Sequence, residues 1–127
     1  MADVKKVLIV EDEESIRKAL EKALISVGGI EVIEAEDGHQ ALELIAQQRP
    51  DLILLDVIMP KMHGIDMLSI LHNDEQNKSI PVILLTNYAD DPKVIAAVDA
   101  GFCELMDKTK CKLTEVVDRV KVKLELT

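Results

Sequence analysis

Aromatic residues are nearly absent from this chain: among 127 residues there is one Tyr (Tyr88), one Phe (Phe102) and no Trp. Without rings to stack on, single-stranded nucleic-acid platforms and flavin-sandwiching sites are excluded. A cationic surplus is missing too. Lys and Arg number 15 against 24 Asp and Glu, for a net charge of -9. Such a surface repels phosphate backbones, so no direct nucleic-acid binding is expected. Two cysteines are too few for a disulfide framework and fit a reducing, cytoplasmic setting. Long apolar runs are lacking as well. The first is only Val7 to Val10, whereas a membrane span needs roughly 18 or more such residues, so neither a signal peptide nor a membrane anchor is expected. No G-x-x-x-x-G-K-[ST] run is present, which excludes a P-loop nucleotidase.

What is there suits one domain with a proper core, since 48% of residues are hydrophobic and 31% charged. Short apolar runs alternate with stretches of helical period. Val7–Val10, Ile30–Ile33, Leu52–Leu55, Val82–Leu85 and the stretch from Phe102 to Met106 read as five strands. Several are unbroken apolar runs, as parallel strands covered on both faces require. Ile16, Ala19, Leu20, Ala23, Leu24 and Val27 fall on one face of a first helix, and Leu113, Val116, Val117, Val120 and Leu124 on one face of the last. Gly28-Gly29 ends the first helix, Asp37-Gly38 opens the second, Pro92 sits at the first position of the fourth, and Gly101 follows its end. The whole reads as an open, doubly wound α/β domain with a five-stranded parallel sheet.

Polar residues punctuate the strand ends. The first strand runs into Glu11-Asp12, the third into Asp56, the fourth into Thr86 and the fifth into Lys108. In open α/β sheets these carboxyl ends are where ligands bind, beside the point at which the strand order reverses. With the first strand beside the third, Asp12 and Asp56 converge in one crevice with Glu11. Crowded carboxylates disfavour their own ionisation unless a cation is present, and a few carboxylates with waters and phosphate oxygens suit Mg²⁺. Taken singly, each residue also has a plain reading: Asp12 or Glu13 as a helix N-cap, Asp56 as a turn residue, Lys108 as a solvated lysine. It is the set, each member at its own strand's end, that points to chemistry.

The set resembles the receiver domain of bacterial response regulators. The similarity rests on Val7–Glu13 (VLIVEDE), Leu54–Gly64 (LLDVIMPKMHG), Pro81–Thr86 (PVILLT) and Lys108, and it runs from about residue 5 to 124; a single receiver domain without an output domain is expected. It implies a flavodoxin-like (βα)5 fold with strand order 2-1-3-4-5. It also implies that Asp56 accepts a phosphoryl group from a sensor histidine kinase or phosphotransfer protein, and that Glu11, Asp12, Asp56 and the backbone carbonyl of Ile58 hold Mg²⁺. Lys108 and Thr86 would bind phosphoryl oxygens. The domain would then be a signalling phosphoacceptor rather than an enzyme, monomeric or weakly dimeric. A downstream protein would be engaged through the fourth helix, fifth strand and fifth helix.

Several positions depart from the family's usual residues. Thr109 stands where a proline with a cis bond usually follows the lysine, so a trans bond or an altered loop is expected, because a non-proline cis bond costs roughly 2.5–4 kcal/mol. Leu105 replaces a Tyr or Phe, which argues against aromatic-gated signalling. Asn87 replaces a smaller residue and narrows access for donors. Ile58 and Tyr88 flank the approach of a hydrolytic water, so slow self-dephosphorylation is expected. An aspartyl-phosphate phosphatase of the haloacid dehalogenase kind is opposed by Ile58, where a second Asp would be needed. A flavodoxin-like carrier is opposed by the missing Ser/Thr/Gly-rich phosphate loop. A degenerate receiver, serving only as a docking surface, is opposed by the intact set of Asp12, Asp56, Thr86 and Lys108.

Overall fold

The computed structural model describes residues 4–56 and 64–126. Strands and helices alternate: β1 (Lys5–Val10), α1 (Glu14–Ile25), β2 (Ile30–Ala35), α2 (Gly38–Gln47), β3 (Leu52–Asp56), α3 (Gly64–His72), β4 (Val82–Thr86), α4 (Pro92–Asp99), β5 (Glu104–Asp107) and α5 (Leu113–Lys123). The strands form one parallel sheet in the order β2-β1-β3-β4-β5, the doubly wound architecture expected.

The unbroken apolar runs are explained by two cores, one on each face. Successive side chains of a strand point to opposite faces. Leu8, Val10, Ile53, Leu55, Val82 and Leu84 therefore meet Ala41 and Ile45 of α2, Met67, Leu68 and Leu71 of α3, and Val94 and Ala97 of α4. Val7, Ile9, Leu52, Leu54, Ile83 and Leu85 meet Leu20 and Leu24 of α1, Val116 and Val120 of α5, and Leu124 at the C-cap of α5. The three central strands are thus apolar at almost every position, and their polar residues are left for the ends.

The punctuation works as read, with three corrections. Asp37 caps α2 by accepting from the Gln40 N–H at 2.9 Å, and Asp91 caps α4 ahead of Pro92. Gly28 and Gly29 take φ of 84° and 76°, a region that suits glycine. The first correction concerns β5, which begins at Glu104 rather than Phe102. Gly101 (φ 81°) donates to the Val98 carbonyl and Phe102 to the Ala97 carbonyl, a Schellman closure that spends Phe102 on ending α4. Cys103 accordingly lies before the strand, half-buried, where burial pushes its thiol up to about 11. Second, α1 has Glu13 at its N-cap without a side-chain cap. Third, the apolar stripes are narrower than their spacing suggests: Ala19 is exposed, and Leu113 stays 43% exposed. Among the described residues, no helix is long and apolar enough to cross a membrane.

Candidate functional site

The carboxyl ends of β1, β3, β4 and β5 bring five of the expected residues to one rim: Glu11, Asp12, Asp56, Thr86 and Lys108. β1 delivers Glu11 just past Val10, β3 ends on Asp56, and one carboxylate oxygen each from Glu11, Asp12 and Asp56 lie within 4.8 Å of one another. Glu11 is buried, Asp56 half-buried and Asp12 exposed. The cluster is graded from the protein interior to solvent.

Lys108 enters from the other side. Its Nζ lies 3.0 Å from Glu11 Oε1 and 3.7 Å from Asp56 Oδ2. The lysine is thus hydrogen-bonded to the most buried carboxylate and only ion-paired with Asp56. Its own backbone N–H donates to the Thr86 carbonyl at 2.8 Å, continuing the β4–β5 pairing one step beyond Thr86 and Asp107. Thr86 is fully buried, and its hydroxyl oxygen accepts the Tyr88 N–H at 2.9 Å. The Lys108–Thr109 bond is trans, no cis bond occurring among the described residues, as expected from the missing proline.

Electrostatics at the rim are unbalanced. The Asp12 carboxyl is held above its ordinary 3.8, first by burial and then by the hydrogen bond and charge of Glu11. Its own backbone hydrogen bond and Lys108 act the other way. Three carboxylates faced by one ammonium favour a further cation. The donors are all carboxylate oxygens, the hard ligands that Mg²⁺ takes a few at a time, so the residues present fit that ion.

Other expected residues fall as follows. Leu105 sits in β5 opposite Leu84 and packs on the α2–α4 side of the sheet. Asn87 is exposed, and Tyr88 is 51% exposed on the loop after β4. Ile58, named both for its carbonyl and for its side chain, lies outside the described residues. The residue that sequence reasoning missed is Arg17. It is buried, its Nη1 donates to the Glu11 carbonyl at 2.9 Å, and its Nε donates to Glu34 Oε1 at 3.0 Å. Its position three and seven residues before Leu20 and Leu24, on the same stripe, was the available signal.

The chain is similar to known proteins over nearly its whole length. A family model described as the response regulator receiver domain matches residues 7–121. The phosphate regulon transcriptional regulatory protein PhoB of Pseudomonas aeruginosa is 37% identical over 123 residues, which is 97% of this chain and 53% of that protein. The chain spans from about a third to about half the length of the curated relatives it matches. Among solved structures, the signal receiver domain of a signal transduction histidine kinase from Syntrophus aciditrophicus superposes with a TM-score of 0.86 at 31% identity, over 96% of this chain and 91% of that one. The Thermotoga maritima response regulator TrrA, solved in complex with Mg²⁺ and BeF, does so with a TM-score of 0.78 at 27% identity, over 94% of this chain and 99% of that one. With the strand order, the acidic rim and the family match in agreement, this chain belongs to the response regulator receiver domains of two-component systems.

Proposed function

We propose that Asp56 accepts a phosphoryl group from the phosphohistidine of a partner kinase or phosphotransfer protein, in a reaction that requires Mg²⁺. The observation that carries this is the convergence of Glu11, Asp12 and Asp56 with Lys108 at one rim. An Asp56 carboxylate oxygen attacks phosphorus, a P–O bond forms, and the P–N bond breaks with its electron pair returning to the donor imidazole. Glu11, Asp12 and Asp56, with the Ile58 carbonyl, are the groups that would hold the ion, which supplies charge neutralisation on the transferring group. Lys108 moves its ammonium from Glu11 toward a phosphoryl oxygen, and the Thr86 hydroxyl donates to another. Acceptance on the protein's own side chain makes this a signalling event rather than turnover. The downstream partner meets the α4–β5–α5 face, where Leu105 in place of an aromatic leaves the shift of Thr86 as the moving part. A cytoplasmic setting belongs to the same reading. The experiment is intact-mass analysis after acetyl phosphate with Mg²⁺. A gain of one phosphoryl group, abolished by excess chelator, is expected; no gain in any divalent ion overturns the reading.

The Asp12 shift gives a pH dependence with a definite sign. A carboxyl raised in the fold keeps its proton to higher pH than in the unfolded chain. Its contribution to stability is therefore present below the ordinary value and is lost as pH rises through the folded value. The metal-free protein should lose stability as pH climbs through the raised folded value of Asp12, and Mg²⁺ should restore it. Thermal melts at about pH 4 and about pH 7 are expected to show a larger gain in Tm from Mg²⁺ at the higher pH. An equal gain at both would sink the assignment of Asp12 to the ion.

Lifetime is the other expectation. The family resemblance puts Ile58 and Tyr88 at the two positions flanking the water's approach, and neither is a carboxylate or an amide that could orient it. Tyr88→Glu is expected to speed phosphate release from the phosphorylated protein by about threefold to tenfold. An unchanged or slower release would show that the half-exposed ring does not shield the phosphoryl group.

A further inference from the structure

The loop after β5 carries Lys108 to the rim without the constraint of a proline ring, and its hydrogen bonds show what holds it instead. Asp107, the last residue of β5, lies opposite Thr86 in the sheet. Its Oδ1 accepts both the Thr109 N–H at 2.9 Å and the Thr109 hydroxyl at 2.6 Å. Its main-chain carbonyl accepts the N–H groups of Lys110 and Cys111, each at 3.0 Å. Between these, the Lys108 N–H is fixed to the Thr86 carbonyl. We propose that Asp107 and Thr109 are the positioning residues of Lys108, their side-chain pair clamping the trans loop so that the ammonium is presented between Glu11 and Asp56.

The physical case has three parts. A lysine side chain has four rotatable bonds and aims poorly by itself, so its placement depends on where its Cα is held. A trans loop with no ring has backbone freedom to lose, and hydrogen bonds to a carboxylate are the stronger kind available to restrict it. Thr109 is exposed, so its hydroxyl bond to Asp107, rather than burial of its methyl group, is what it contributes. The Asp107 carboxyl is held below the usual carboxylate range, first by the Thr109 hydroxyl and then by its N–H. The clamp therefore operates on the anion. Mounted on β5 and tied to β4, it is continuous with the sheet that carries Asp56.

The proposal rests on Asp56 being the phosphoacceptor, and the test keeps the two apart. Thr109→Val retains the branched shape and the N–H while removing the hydroxyl. It is expected to slow phosphorylation by acetyl phosphate about threefold to tenfold, with an unchanged melting temperature. Thr109→Ser should restore the rate. In a Lys108→Ala background Thr109→Val should cost nothing further, since a residue acting through the lysine has nothing left to position. Independently of any phosphoryl donor, amide exchange at Lys108 and Cys111 should quicken about tenfold in Thr109→Val and in Asp107→Ala. Unchanged exchange, or an equal slowing with and without Lys108, overturns the clamp. If the wild type takes up no phosphoryl group, the Asp56 reading fails while amide exchange still decides the clamp.

Discussion

Asp56→Asn is expected to abolish phosphoryl uptake while leaving the metal-free protein at least as stable as the wild type. Both halves follow from the same crowding. An amide has no anionic oxygen to attack phosphorus, and no other carboxylate replaces it: Glu11 is buried and hydrogen-bonded to Lys108, and Asp12 lies on the exposed side. Yet Asp56 shares a space of 4.8 Å with two other carboxylates, and like charges so close repel in the absence of a cation. Removing one relieves that repulsion, and the losses against it include the ion pair with Lys108, whose length is 3.7 Å. Function and stability are opposed at this residue. Intact mass with acetyl phosphate and Mg²⁺, beside a thermal melt without metal, measures both. A phosphoryl gain that persists in the variant would falsify the assignment of Asp56.

Arg17→Met should be the most destabilising single change at the rim. The Arg17 side chain is 8% exposed; it holds Glu34 at 3.0 Å and lies 3.8 Å from Glu36. It also supplies a donor to the Glu11 carbonyl. Removing one partner of a buried pair leaves the other charge uncompensated, which costs about 3–5 kcal/mol. Glu34 keeps Lys18 at 2.9 Å and some contact with water, which places the expectation near 3 kcal/mol, roughly 10–20 °C in Tm for a domain of this size. Urea unfolding should show the midpoint falling at constant slope. Arg17→Met with Glu34→Gln should lose less than Arg17→Met alone, because the half-buried Glu34 carboxylate is no longer left without the guanidinium. A loss under about 1 kcal/mol would mean that water already screens this pair as it does a surface one.

Much of this is legible in the sequence. Unbroken runs such as Val7–Val10 and Leu52–Leu55 read as strands covered on both faces, and the two cores show why each residue in them is apolar. The acidic residues at strand ends were legible because the sheet leaves polar side chains nowhere else to converge. β5 was misplaced by two residues because Phe102 is apolar for a different reason, as the residue that closes α4 and stacks on His72. Arg17 was missed because a charged residue on an apolar stripe reads as an interruption. Only the third dimension supplies the Glu34 carboxylate and the Glu11 carbonyl that satisfy it. Thr109 read as a departure from a family pattern, and the bonds to Asp107 were invisible until the backbone was placed.

An open sheet has two unpaired margins, and here they are β2 and β5. Such margins invite strand addition by neighbouring chains, and charge is a common guard against it. Both carry acidic side chains held by helices: Glu34 on β2 by Arg17 and Lys18 of α1, and Glu104 on β5 by Arg119 and Lys123 of α5 at 3.3 Å each. The Lys123 contact to Glu104 Oε2 lacks the alignment of a hydrogen bond, so it acts as a charge contact. A second copy that added a strand at either margin would bring its own Glu34 or Glu104 toward the same carboxylates. The side chains that fasten α1 and α5 to the sheet thereby also place charge at both of its unpaired margins, where charge discourages strand addition.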